Sequence, residues 1–472
     1  MIRPTLEEVR NLCKGNTIVP IAMEILSDIK TPMQVLMSMK EKGERFYILE
    51  SVESGDNWGR YTFLGYNPSQ IIKGNNENDP GKAINKILKE NKSPRIDYLP
   101  PFTGGLVGYF SYEYIKYIEK SLVLNSKNED GFYDYYLMFF DKVIAFDHFK
   151  QKIYLIVNIK TDKLDENYIR GVMDLKDMEN LVLSQNIMAE DMPDKISGVK
   201  EMFSKEQYCK MVDRVKKYIH EGDIFQAVIS NRMEAEFKGS LLKTYRILRT
   251  ANPSPYMFYI NFGETELAGA SPETLVSLKN GVLSTYPLAG TCKRGATQAE
   301  DDELTEALLK NEKELSEHDM LVDLGRNDLG KICKFGSVKV EEYRKIKKFS
   351  HVCHIASKVT GEIKEEYGPL DAVAAVIPAG TLSGAPKKRA CEIIDELEGT
   401  KRGAYGGAVG YIDFAGNMDM CIGIRMAVAK GGKVFVQSGA GIVADSIPEN
   451  EYNECKNKAM VIVEALKGNG GE

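Results

Sequence analysis

Near its C-terminal end the sequence runs through three apolar stretches, Ala408–Phe414, Asp419–Ala429 and Lys433–Gln437, separated only by Gly416-Asn417 and Gly431-Gly432. Turns that short join antiparallel neighbours. Parallel strands need a crossover of about a dozen residues or more. The pattern recurs upstream. Phe46–Ser51 and Arg60–Gly65 flank a turn at Gly55–Gly59, and Gly104–Phe110, Tyr135–Phe146 and Lys152–Asn158 are further apolar runs. Phe225–Ile229, Met257–Phe262, Leu267–Ser271 and Leu283–Leu288 follow. So many strands without regular helix alternation predict an α+β chain built on antiparallel sheets.

Helices are expected between them. Residues 1–45 carry helix-like patterns such as Thr31–Met37. Ser204–His220 reads as an amphipathic helix ended by Gly222, and residues 299–329 as one long helix closed by Gly330. Residues 184–202 lose periodicity and gather Asp, Pro and Gly. A junction there divides an N-terminal unit, residues 1–185, from a C-terminal one, residues 200–468.

At 472 residues the chain buries a sizeable core. A net charge of −6 without a basic block gives no reason to expect nucleic acid, and no apolar run is long enough for a membrane span. The charged N-terminus lacks a signal-peptide core, and the eight cysteines form no CxxC pair. These features predict a cytoplasmic enzyme.

The stretch Ser438–Ala459 holds the densest chemistry. Gly439-Ala440-Gly441 reads as a loop whose bare amides suit a carboxylate or phosphate. Ser446 and Glu449 have capping-box spacing, and Pro448 suits a first helical turn. On that helix Glu451 and Glu454 share a face. An anion loop beside two carboxylates is contradictory unless a cation joins them, and Mg²⁺ has the right preference for oxygen. Glu314 and Glu317 repeat the spacing on another helix. Each pair alone is also compatible with a solvated surface.

Other positions stay open on residues alone. Arg425, inside the apolar run Cys421–Ala429, either pairs with an internal acid or aims its fork at a ligand carboxylate. Glu273, in Ser271-Pro272-Glu273, is a loop cap or an acid with a raised pKa. His351 and His354 lack supporting zinc ligands, so a structural histidine is the default. Gly380–Lys387 does not fit the spacing of a nucleotide phosphate loop.

Taken together, several long motifs resemble component I of anthranilate synthase, within the chorismate-utilising enzyme family. They are EGDIFQ (Glu221–Gln226), NPSPYMFY (Asn252–Tyr259), SPETLV (Ser271–Val276) and PLAGTCKRG (Pro287–Gly295). ELSEHDMLVDLGRNDLG (Glu314–Gly330), PAGTLSGAPK (Pro378–Lys387), YGGAVGY (Tyr405–Tyr411) and the Ser438–Ala459 stretch follow in the same order, so the likeness spans nearly the whole chain. It implies the fold of that family, large antiparallel sheets packed as a sandwich with flanking helices. It also implies conversion of chorismate and ammonia to anthranilate and pyruvate with Mg²⁺.

By the same resemblance, Glu314, Glu317, Glu451 and Glu454 surround the metal. Gly290 and Thr291 lie near the ring carboxylate, and Tyr405, Arg425 and the Gly439, Ala440 and Gly441 amides hold the enolpyruvyl carboxylate. Glu273 protonates the departing hydroxyl, His354 moves a proton, and Gln226 and Thr381 complete the catalytic set. Ser51, with Pro255, Tyr256 and Met257, matches a tryptophan-binding element; the residue-level alternative is a strand end and ordinary packing. The chain has no glutaminase nucleophile motif, so the resemblance implies a glutamine amidotransferase subunit as ammonia source.

Relatives that add water carry a lysine base where this chain has Gln226, and a glutamine cannot deprotonate water. Aminodeoxychorismate synthase component I carries a lysine where this chain has Ala289. That enzyme and a noncatalytic tryptophan-sensing paralogue are the alternatives.

Overall fold

The computed structural model describes residues 2–51, 59–75, 80–184, 195–348 and 352–468. The Gly55–Gly59 turn, His351 and most of the predicted junction fall wholly or largely outside them.

Two antiparallel sheets, of thirteen and ten strands among the described residues, lie face to face. Strand Arg45–Glu50 shows how the sequence builds them. Phe46 and Ile48 point into a core shared with outer helices, while Tyr47 joins a core shared by both sheets. Across that inner core Tyr47 meets Phe140 at 4.7 Å between ring centroids, and Phe63 meets Tyr411 at 6.0 Å. Strand Tyr135–Phe140 divides likewise, with Tyr135, Leu137 and Phe139 outward and Tyr136, Met138 and Phe140 inward. Sheets covered on both faces need no polar alternation, hence the apolar runs. Helices Pro32–Lys42, Leu164–Leu183, Leu241–Ala251 and Pro448–Leu466 cover the larger sheet. Pro80–Glu90, Glu312–Gly330 and Pro369–Val376 cover the smaller one.

The α+β sandwich is therefore as expected, but two apolar runs break between sheets. Tyr135–Phe146 splits at Asp141 into Tyr135–Phe140 in the ten-stranded sheet and Lys142–Asp147 in the thirteen-stranded one. Asp419–Ala429 splits into Met418–Ile422 and Met426–Lys430, again one in each sheet. Arg425 thus sits at a corner between sheets rather than inside a strand.

Other expectations change too. Ile18–Leu26 is a strand, and Leu283–Leu288 becomes Val282–Thr285 and Leu288–Lys293. The strand begun at Phe225–Ile229 runs over Gln226–Lys238. The long helix is two, Gln298–Leu308 and Glu312–Gly330, because Asn311 caps the second with its side chain; Gly330 is that helix's last residue. Helix Lys205–His220 begins at Ser204 with a formed capping box. The box expected at Ser446 does not form, since its hydroxyl accepts from the Val443 amide at 3.1 Å and Ile447 is the cap. No helix among the described residues is long and apolar enough to cross a membrane.

Candidate active site

Gly439, Ala440 and Gly441 do not form a loop. They lie in strand Lys433–Ile442, opposite Ser230, Ile229 and Val228 of strand Gln226–Lys238. On its other edge, pairing with Met426–Lys430 ends at Val436. The glycines therefore border a gap between strands rather than forming an anion-binding loop. Both are needed for close approach. A Cβ on Gly439 would lie 2.8 Å from the Ile229 carbonyl and 3.0 Å from the Tyr405 hydroxyl, and one on Gly441 2.6 Å from Gln226 Nε2. Gln226 Oε1 is buried without a hydrogen-bond partner.

Arg425 stands within electrostatic reach of Tyr405 and Glu454. Its φ of 52° belongs to the corner between the sheets, and its carbonyl accepts from the Ala270 amide at 3.0 Å. Among the described residues its guanidinium donates only to the Lys458 carbonyl, at 3.4 Å. Burial draws its pKa down, with Tyr405 and Glu454 opposing. A desolvated guanidinium without a carboxylate partner is a built receptor for one.

Glu273 follows strand Thr265–Ser271. The Ser271 hydroxyl accepts from its amide at 3.4 Å and donates to the Ile422 carbonyl at 2.7 Å, while the Ile422 amide donates back to Glu273 at 3.0 Å. The Thr381 hydroxyl donates to Glu273 Oε1 at 3.1 Å. Leu321, Leu324, Val376 and Ala379 line the same small cavity. Burial pushes the carboxyl up to about 8, outweighing Thr381 and Lys458. The group therefore keeps its proton at neutral pH.

His354 stands opposite Thr291 on neighbouring strands. Its Nδ1 lies 3.2 Å from the Gly290 carbonyl and 2.9 Å from Thr291 Oγ1. A carbonyl only accepts, so Nδ1 carries the hydrogen of the neutral ring and Nε2 keeps a lone pair. Burial holds the imidazole below its usual pKa. Gly290, at φ 72°, makes the bulge beside it; a Cβ there would lie 3.3 Å from Glu314 Oε2.

The two glutamate pairs lie within electrostatic reach of each other. Burial first, then Glu314, Glu451 and Glu454 push Glu317 up; burial and Glu454 do the same to Glu451. Lys458 donates to Glu454 and, at 3.2 Å, to the Gly439 carbonyl. Among the described residues no three acidic, histidine or cysteine side chains gather at ion-binding distance. The donor set nonetheless fits a hard divalent cation such as Mg²⁺, since four carboxylates supply only hard oxygen ligands. Lys458 was overlooked in the sequence, although its i, i+4 spacing from Glu454 was a readable signal.

A second cavity, of about 610 Å³, is lined by Ser51, Pro255, Tyr256, Met257 and Asp419 among others. Ser51 Oγ is buried there without a partner. The Tyr256 hydroxyl donates to Asp419 at 2.8 Å and lies 2.9 Å from Thr274 Oγ1, the residue after Glu273.

The chorismate binding enzyme family matches residues 44–464 of this chain. The chain belongs to that family. Among relatives of this chorismate-binding enzyme, the anthranilate synthase component 1 of Acetivibrio thermocellus is 44% identical, spanning 100% of this chain and 99% of its own. That of Aquifex aeolicus is 43% identical over 98% and 97%. The crystal structure of anthranilate synthase component I from Streptococcus pneumoniae is 35% identical, with a TM-score of 0.76 over 93% of this chain and 98% of that one. The menaquinone-specific isochorismate synthase of Escherichia coli, 18% identical with a TM-score of 0.74 over 98% of both chains, shares the fold.

Proposed function

We propose that this chain is the synthase subunit of an anthranilate synthase, a lyase that converts chorismate and ammonia to anthranilate, pyruvate and water at the start of tryptophan synthesis. The observation that carries the reading is Glu273, a carboxyl set against an apolar wall with the Thr381 hydroxyl donating to it at 3.1 Å. Arg425, Tyr405 and the Gly439–Gly441 edge hold the enolpyruvyl carboxylate, while Gly290 and Thr291 lie along the ring carboxylate. Glu314, Glu317, Glu451 and Glu454 hold Mg²⁺, which when bound supplies positive charge for the ring carboxylate. Ammonia adds to the ring, and Glu273, steadied by Thr381, protonates the departing hydroxyl to water. The ring then loses a proton to His354 Nε2 as the ring C–O bond breaks, and the departing enolpyruvate takes up a proton to become pyruvate. Gln226 offers an unpaired carbonyl oxygen to an N–H donor but cannot deprotonate water, which favours ammonia over hydration.

Residues 200–468 supply this chemistry, and residues 1–185 a tryptophan-responsive half. We place the protein in the cytoplasm, on its eight unpaired thiols. The test is the purified chain with chorismate, Mg²⁺ and ammonium at mildly alkaline pH, followed by anthranilate fluorescence. An amino-substituted product still bearing the enolpyruvyl group would instead identify an aminodeoxychorismate synthase, and no product at all a noncatalytic paralogue.

The same preparation supplied with glutamine in place of ammonium is expected to be inactive until a glutamine amidotransferase subunit is added. Equal rates from glutamine and ammonium with the chain alone would remove the partner from the scheme.

Tryptophan is proposed to occupy the cavity at Ser51, whose free hydroxyl suits the ligand's amine or carboxylate. The Tyr256–Thr274 contact gives it a short route to Glu273. Inhibition requires tighter binding of tryptophan to the less active state, and chorismate must oppose it by the same coupling. Ser51→Phe fills the cavity and deletes the hydroxyl. The tryptophan concentration for half-inhibition is expected to rise about tenfold or more, from a hydrogen bond of about 0.5–3 kcal/mol plus steric exclusion, with uninhibited turnover unchanged. An unaltered inhibition curve at fixed chorismate would misplace the site.

A further inference from the structure

The strand pair that carries Thr291 and His354 has one more rung with unused chemistry. Strands Leu288–Lys293 and Val352–Glu362 run antiparallel, and their register sets Cys292 opposite Cys353 immediately beside the Thr291–His354 rung. Side chains alternate faces along a strand, so the two thiols meet on the face opposite the imidazole. Directly opposed residues place their Cβ atoms about 4.5–5.5 Å apart, and a disulfide needs about 3.5–4.5 Å. A small closing of the rung is enough. Cys353 is fully buried, whereas Cys292 is partly exposed, so a small reagent reaches it first. Burial pushes the Cys292 thiol up, and the facing Cys353 adds to this, so the sulfurs are near enough to influence each other. Cys421, the other cysteine within a described strand, faces Thr274 and Val409. As a packing device alone, two small thiols filling a sheet interior would be unremarkable. Their placement on one rung beside the site is what gives them a chemical role.

We propose that Cys292 and Cys353 form a reversible disulfide that draws these two strands together and lowers turnover. With hydrogen peroxide as oxidant, the Cys292 thiolate attacks one peroxide oxygen and the other leaves as hydroxide, taking up a proton to become water. The resulting sulfenic acid is attacked at sulfur by the Cys353 thiolate, and its hydroxyl leaves as a second water. Two thiols have lost two electrons and two protons, and the peroxide has become two waters. A dithiol reductant reverses the change through a mixed disulfide. Because Cys292 reacts as the thiolate and its pKa is raised, the reaction quickens with pH. The closed rung shifts the Gly290 carbonyl and Thr291 hydroxyl that orient His354. The link itself is independent of the catalytic reading; its effect on turnover rests on that reading.

The full chain is treated with hydrogen peroxide, alkylated, and digested with trypsin without reductant. Residues 280–293 and 349–358 lie between tryptic sites and carry one cysteine each. The expected result is a linked pair lighter by two hydrogens than the free peptides together. Turnover of chorismate with ammonium should fall and return with dithiothreitol. Cys292→Ala should keep basal turnover and lose the peroxide sensitivity that Cys292 confers. Both peptides recovered separately alkylated would overturn the link. Linked peptides with unchanged turnover, or equal inactivation of Cys292→Ala, would overturn its effect on the site. Since the peptides are read by mass, a chain that made no anthranilate at all would refute the catalytic reading and leave the link standing.

Discussion

Replacing Glu317 with glutamine is expected to lower turnover by roughly 10³-fold or more, the scale of losing a ligand that holds a catalytic cation. The same substitution should not destabilise the protein. Burial and the charges of Glu314, Glu451 and Glu454 raise the Glu317 carboxyl in the fold. A raised carboxyl favours its neutral form, so stability present below the unfolded pKa is lost as pH rises through the folded one. Above the folded pKa the ionised side chain is a liability that a neutral isostere removes. Glu317→Gln should therefore melt at the same temperature as the parent or higher while failing to turn over chorismate and binding Mg²⁺ more weakly by calorimetry. Near-parental activity at limiting Mg²⁺ would remove Glu317 from the metal site. A lower melting temperature would assign it a structural role instead.

Glu273→Gln should cost about 10²–10⁴-fold, the usual contribution of a positioned general acid. Glutamine keeps the shape and the contact with Thr381, so the protein should fold and bind chorismate. The stronger test is the pH profile. Glu273 acts in its protonated form and holds that proton up to about pH 8, so activity should fall as pH rises through that value. Free ammonia grows over the same range and masks the decline, so the comparison holds NH₃ rather than total ammonium constant. The alkaline limb should vanish from whatever activity the variant retains. A limb unchanged in the variant would mean that another group supplies the proton.

The strands that were legible have runs apolar throughout, as strands covered on both faces must be, whereas Lys339–Lys348 alternates exposed and half-buried residues and gave no such run. What the runs could not reveal is which sheet each half joins. Tyr135–Phe146 and Asp419–Ala429 look continuous whether their halves lie side by side or in opposite layers. Arg425 consequently read as a residue inside a strand, when it stands at the corner that turns one sheet into the other. The Gly439–Gly441 segment read as a loop, since glycine serves loops and close strand approach alike, and only the tertiary neighbours Tyr405 and Gln226 distinguish the two. The Ser446 cap failed because its hydroxyl had a competing donor in the Val443 amide. In the site, the i, i+3 spacing fixed which glutamates share a helix face, but how near the two pairs come depends on how two distant helices pack. Helix Glu312–Gly330 started late because Asn311 interrupts an acidic and leucine-rich pattern that otherwise continues. The raised pKa of Glu273 likewise comes from the apolar wall supplied by Leu321, Leu324 and Val376, far from it in sequence.

The order of strands in the larger sheet bears on how the protein is made. Thr265–Ser271 pairs on one side with Tyr256–Phe262 and on the other with Met426–Lys430, which in turn pairs with Lys433–Ile442. On the ribosome, roughly 150 residues must therefore be added after Ser271 while its outer edge waits for a partner. The sheet is bridged across its middle only when nearly the whole chain has emerged, and the helix Pro448–Leu466 that covers it comes last. A chain released early, before Met426, would present an open apolar edge, making incomplete translation products natural clients for chaperones and proteases.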